Sequence, residues 1–146
     1  MASSSGSRVG GEVARPLPRL EGLAGEFYAH CRRRELRFQR CGGCSAWRHV
    51  PREMCPRCGS WEWSWERSSG RGRVFTWTVV ARALHPAFAG DCPYAPVVVE
   101  MEEGVRILSQ VVDCPPDALA IDMPVEVDFE ERSPEVTLPV FRRAAR

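Results

Sequence analysis

Residues 41–66 read CGGCSAWRHVPREMCPRCGSWEWSWE, and this stretch decides the fold. It holds two CxxC knuckles, Cys41-x2-Cys44 and Cys55-x2-Cys58, with ten residues between them. Two such turns brought together present four thiolates at the corners of a tetrahedron, the geometry Zn²⁺ accepts at structural sites. Gly42, Gly43 and Gly59 free the backbone to turn its amides toward the sulfurs. Zinc is the expected ion, with iron in a four-thiolate site as the alternative. Four protein ligands leave no position for a substrate, so the expected role is structural. His49 lies between the knuckles, but the coordination sphere is complete without it, and it reads as a surface histidine.

The second knuckle runs directly into Trp61, Trp63 and Trp65, alternating with Glu62, Ser64 and Glu66. Period two predicts a strand with one aromatic face and one acidic face. The aromatic face is expected to form a seam between the metal ribbon and whatever follows it.

Upstream, Leu20, Leu23, Ala24, Phe27 and Cys31 fall on one stripe of a helix over residues 20–34. The run Arg32-Arg33-Arg34 ends it, where cations suit the helix dipole; a cradle for a CoA phosphate is the sharper alternative. Leu36 and Phe38 alternate with polar neighbours in an extended lead-in to the first knuckle. Before the helix, MASSSGSRVGGEVARPLPR has the composition of a solvated tail. It lacks a secretory h-region, which argues against disulfides and for a cytoplasmic setting, and its arginines only faintly suggest an organelle transit peptide.

Downstream, five strands are expected. Residues 73–81 place Phe75, Trp77 and Val79 on one face. Residues 96–101 and 105–112 flank Glu102-Glu103-Gly104 as a hairpin. Val125, Val127 and Phe129 alternate with acids, and residues 136–141 close the set. Five short strands without a βαβ rhythm suggest a Greek-key barrel of OB-fold type. The connection HPAFAGDCPYAP, residues 85–96, reads as a binding loop.

All 20 basic residues are arginine, so a Schiff-base lysine is impossible. Residues 1–58 carry 11 arginines against 5 acids, and residues 59–146 carry 9 against 14. The second half is thus a poor match for a phosphate backbone. No apolar run approaches the roughly 18 residues that cross a bilayer. Cys31, Cys92 and Cys114 have no metal spacing and read as idle thiols.

The order helix, four-cysteine ribbon, barrel carries a resemblance. FYAHCRRRELRFQRCGGC, CPRCGS, GRGRVFTWTVV, the HPAF loop, VVVEMEEGVRILSQVVD, MPVEVDFE and TLPVF together resemble the zinc-ribbon OB-fold family of acyl-CoA-associated proteins, over about residues 20–143. The resemblance implies a mainly β fold: a tail at 1–19, a helix and lead-in strand at 20–38, a rubredoxin-like zinc ribbon at 39–68 and a five-stranded OB-fold at 69–146. It implies Cys41, Cys44, Cys55 and Cys58 as zinc ligands. It also implies an accessory subunit of a thiolase-like enzyme (a thiolase, an acyltransferase or a steroid side-chain aldolase), where relatives also pair with MaoC-type hydratases. By the same analogy Arg71, Arg73, His85 and Phe88 are expected to face acyl-CoA or the partner. Phe27, Tyr28, Trp47 and the 85–96 loop are contact candidates. Two other readings stay open: a single-stranded nucleic-acid binder, which the acidic barrel disfavours, and an independent enzyme, for which no nucleophile–base pair is visible.

Overall fold

The computed structural model describes residues 14–145; residues 1–13, the greater part of the expected tail, lie outside the described residues. Helix α1 (Gly22–Arg32) presents Phe27 and Cys31 inward. Leu20, counted in the apolar stripe, precedes the helix and is exposed, and the small Ala24 is exposed as well. The buried part of the stripe is therefore short, and α1 is held by packing rather than by a broad apolar face.

The ribbon is a three-stranded antiparallel sheet ordered β2-β1-β3, with β1 (Arg37–Cys41) between β2 (Trp47–Arg48) and β3 (Trp63–Arg67). Phe38 in β1 is fully buried. Trp61 falls before β3 and is exposed, whereas Trp65 packs onto the core, 6.5 Å from the Phe27 ring and 5.4 Å from His30. The expected aromatic seam thus lies at Trp65, against α1, with Trp63 edge-on to it at 5.3 Å.

The second sheet is ordered β6-β5-β4-β7-β8, from β4 (Arg71–Trp77), β5 (Val97–Met101), β6 (Arg106–Ser109), β7 (Pro124–Glu131) and β8 (Thr137–Arg143). It curls as an OB-fold does. The two outer strands are joined where Phe141 N–H donates to Gln110 O (2.9 Å) and Val112 N–H to Phe141 O (2.8 Å). The β5–β6 hairpin turns as expected, with Gly104 at φ +87.

The expected face of β4 is corrected by a bulge. Val74 pairs with Val99, then Thr76 with Val98, so Phe75 is the extra residue. Val74 is therefore fully buried, Phe75 is 40% exposed under the Arg106 guanidinium, and Trp77 returns to the core side opposite Val97. An inserted residue reverses alternation on one side of itself, which simple period-two counting cannot anticipate.

Among the described residues one core serves helix, ribbon and curled sheet. Phe27 and Cys31 from α1, Leu36 and Phe38 from the lead-in and ribbon, and Val74, Val97, Val99, Val125 and Phe141 from the curled sheet are contiguous.

Candidate functional site

The sulfurs of Cys41, Cys44, Cys55 and Cys58 all lie within 4.8 Å of one another, with Cys41 Sγ 3.5 Å from Cys58 Sγ and Cys44 Sγ 3.7 Å from Cys55 Sγ. The knuckle turns aim amides at them: Gly43 N–H and Cys44 N–H donate to Cys41 Sγ at 3.3 and 3.4 Å. Hydrogen bonding from the Cys44 amide, helped by Gly43, holds the Cys41 thiol down at about 6. The Cys58 and Arg57 amides lower Cys55. The Ser60 amide pulls Cys58 the same way, yet the crowd of neighbouring sulfurs, Cys41 first, pushes it up to about 11. Four sulfurs this close ionise together only around a cation. The donor set, all thiolate and tetrahedral in spacing, fits Zn²⁺, and it closes the ion off from substrate. The four cysteines expected from sequence form this structural zinc site.

Beside the metal site lies a polar brace that periodicity gave no reason to expect. Gln39 is fully buried, and its Oε1 accepts from Arg48 Nε (2.9 Å) and from Arg52 N–H (2.7 Å). Arg48 Nη2 donates to Arg52 O at 2.7 Å. This pins the connection between knuckles to β1 and sets the position of residues 49–51.

Those residues form one wall of a cleft of about 1310 Å³. Phe27 and Tyr28 of α1 form the adjoining wall; Phe88, Pro93 and Tyr94 come from the 85–96 connection. The floor is the gap between β6 and β8, from Ile107 and Val111 to Leu138 and Val140. His49 faces this cleft and is not the surface residue expected. Its ring lies 5.2 Å from Phe27 and 5.3 Å from Phe38, and desolvation lowers its pKa to about 4. Burial likewise raises the Tyr28 hydroxyl, helped by nearby Cys31. Cys31 itself is buried and pushed up to about 12 by desolvation, which makes it an inert thiol.

The four residues expected to face acyl-CoA or a partner do not converge. Phe88 lines the cleft. His85 caps the short 3-10 turn Pro86–Asp91 by accepting from Ala87 N–H (3.1 Å), with its ring 5.9 Å from Phe88. Arg71 and Arg73 border a separate hollow of about 450 Å³. Arg71 is paired with Glu102 at 3.2 Å, and Arg73 with Glu100 at 2.7 Å and Asp122 at 3.5 Å. Trp47 stacks under Arg40 on the ribbon. Among the described residues no helix is long and apolar enough to cross a membrane.

Known proteins share this architecture. Residues 29–63 match the family described as ChsH2, rubredoxin-like zinc ribbon domain, and residues 65–130 match ChsH2, C-terminal OB-fold domain. The chain is 39% identical over 133 residues to a probable enoyl-CoA hydratase alpha subunit of Thermomonospora curvata, covering 91% of this chain and 41% of that protein. It is 40% identical over 91 residues to a DUF35 domain-containing scaffold protein of Methanocaldococcus jannaschii, covering 62% of this chain and 64% of that one. The chain therefore spans less than two thirds of either relative. Among solved structures, a chain of the Ltp2-ChsH2(DUF35) aldolase superposes with a TM-score of 0.78 at 38% identity, over 90% of this chain and 100% of that one. With the helix, the thiolate cluster and the curled sheet in the same order, the chain belongs to the ChsH2 (DUF35) family of zinc-ribbon OB-fold proteins.

Proposed function

We propose that this chain is a non-catalytic accessory subunit of a thiolase-fold acyl-CoA enzyme, a thiolase, acyltransferase or steroid side-chain aldolase, working in the cytoplasm. The observation that carries the reading is the likeness to a chain of the Ltp2-ChsH2(DUF35) aldolase along the whole of that chain. The chemistry of the chain agrees with it. The metal site is closed, the one fully buried thiol outside it is inert, and the cleft is walled mainly by aromatic, proline and aliphatic side chains. Such a surface supports a partner and shapes an acyl pocket better than it moves protons.

In this reading the His85–Phe88 corner faces the acyl group or the partner, together with Phe27 and Tyr28. Arg71 and Arg73 face the partner or a CoA phosphate on their separate surface, exchanging Glu102 and Glu100 for the incoming anion. The reaction belongs to the partner's side chains.

The test is co-expression with thiolase-fold proteins from the same genomic neighbourhood. Co-elution is expected, with an interface burying over about 2,000 Å². Carbon–carbon cleavage of an acyl-CoA is expected from the complex and not from this chain alone. Failure to bind any such protein, with tight salt-sensitive binding to single-stranded DNA or RNA, would instead establish the nucleic-acid alternative.

A further inference from the structure

The cleft is bounded on three sides by α1, the 49–51 connection and the 85–96 loop, and the chain segment leading into α1 passes from one of these walls to another. At its helical end, Leu20 lies so close over Gly25 that a Cβ there would sit 2.7 Å from the Leu20 carbonyl carbon and oxygen. Only glycine admits that approach. At its other end, Arg15 forms an ion pair with Asp91 and stacks over the Phe88 ring, 5.3 Å from its centroid. Arg15, Phe88 and Asp91 all line the cleft, as does Ala24 next to Gly25. The six residues from Arg15 to Leu20 thus bridge the helix wall and the loop wall.

We propose that residues 14–20 are a strap across the cleft mouth, latched at Arg15 onto the 3-10 turn Pro86–Asp91. The strap governs access to the cleft whatever occupies it, and so does not depend on the identity of the partner enzyme. The loop it holds is lightly anchored. Its base is the two-way bridge between Val80 and Tyr94, with hydrogen bonds of 2.8 and 3.2 Å, and no residue of the turn itself is buried. Segments with so few buried contacts open at low free energy, so one ion pair and one cation–π contact are enough to shift the balance between closed and open.

Cys92 directly follows the turn, half-buried with its Sγ against Phe88 O at 3.7 Å, and reports opening. The experiment uses the full-length zinc-loaded chain, a maleimide, and mass mapping of the peptide that carries Cys92. Arg15→Ala is expected to speed labelling of Cys92 about three- to tenfold, from loss of an exposed ion pair and a cation–π contact, and Asp91→Ala about two- to fivefold, from loss of the ion pair. The double variant should be no faster than the faster single one, because both remove the same latch. Amide exchange at residues 86–94 should rise in parallel, with the unfolding midpoint unchanged. Deleting residues 1–13 alone should leave the labelling rate where it was. Unchanged labelling in both single variants, additive effects in the double, or acceleration by the 1–13 deletion would each overturn the proposal.

Discussion

Burial between Phe27 and Phe38 makes His49 a base that mildly acidic water protonates only at the expense of the fold. Its folded pKa, about 4, lies below the ordinary imidazole value because desolvation disfavours the charged ring. In the unfolded chain it titrates near 6.5, so between about pH 6.5 and 4 the unfolded state binds more protons and stability falls as pH falls. From pH 7 to pH 5 this amounts to about 2 kcal/mol. Urea unfolding of the zinc-loaded protein at those two pH values should show a loss that large, beyond that of His49→Leu; equal pH slopes in the two proteins would refute the assignment. At this scale the sequence was legible where chemistry forces a pattern, as in the two CxxC pairs. It was opaque at His49, Gln39 and Arg48, because polar residues declare their burial only through partners that come from other segments.

Hairpins, knuckles and the helix were readable as elements because each follows from residues adjacent in sequence: Gly104 at the β5–β6 turn, and Phe27 and Cys31 one helical turn apart. The bulge at Phe75 was not, since it depends on how β4 registers with β5. Nor was the cleft, which segments far apart in sequence assemble. Close approach between strands β4 and β5 makes a test. A Cβ at Gly72 would lie 2.6 Å from Glu100 O and 2.8 Å from Val99 Cγ1. Gly72 pairs with Met101 on one side and Val125 on the other, so neither neighbour is free to give way. Gly72→Ala should cost about 2–3 kcal/mol by overpacking. Gly90→Ala, with nothing within 4 Å of its Cβ position, should stay within about 0.5 kcal/mol of the parent. Unfolding midpoints in urea separate the two, and equal stabilities would mean that β4 and β5 are further apart than described.

At the scale of the molecule, ribbon and barrel do not have separate interiors. Phe38, three residues before the first zinc ligand, is fully buried in the same core as Val97, Val99 and Phe141, and Trp65 of the ribbon packs onto it beside α1. A structural zinc site contributes on the order of 10 kcal/mol to folding, against a total stability of roughly 5–15 kcal/mol for a domain. Metal loss therefore leaves little with which to keep the barrel folded, and the shared core transmits the loss. Stripping zinc with a competing chelator, or replacing Cys55 by Ser, should collapse ribbon and barrel in one cooperative transition. Near-UV dichroism of the tryptophans and exchange protection of the β5 amides should vanish at the same zinc occupancy. Zinc-free protein that keeps β5 protected while the tryptophan signal is lost would show two independently stable bodies, and the ribbon would then be an appendage rather than the clamp that holds α1 and the cleft walls to the barrel.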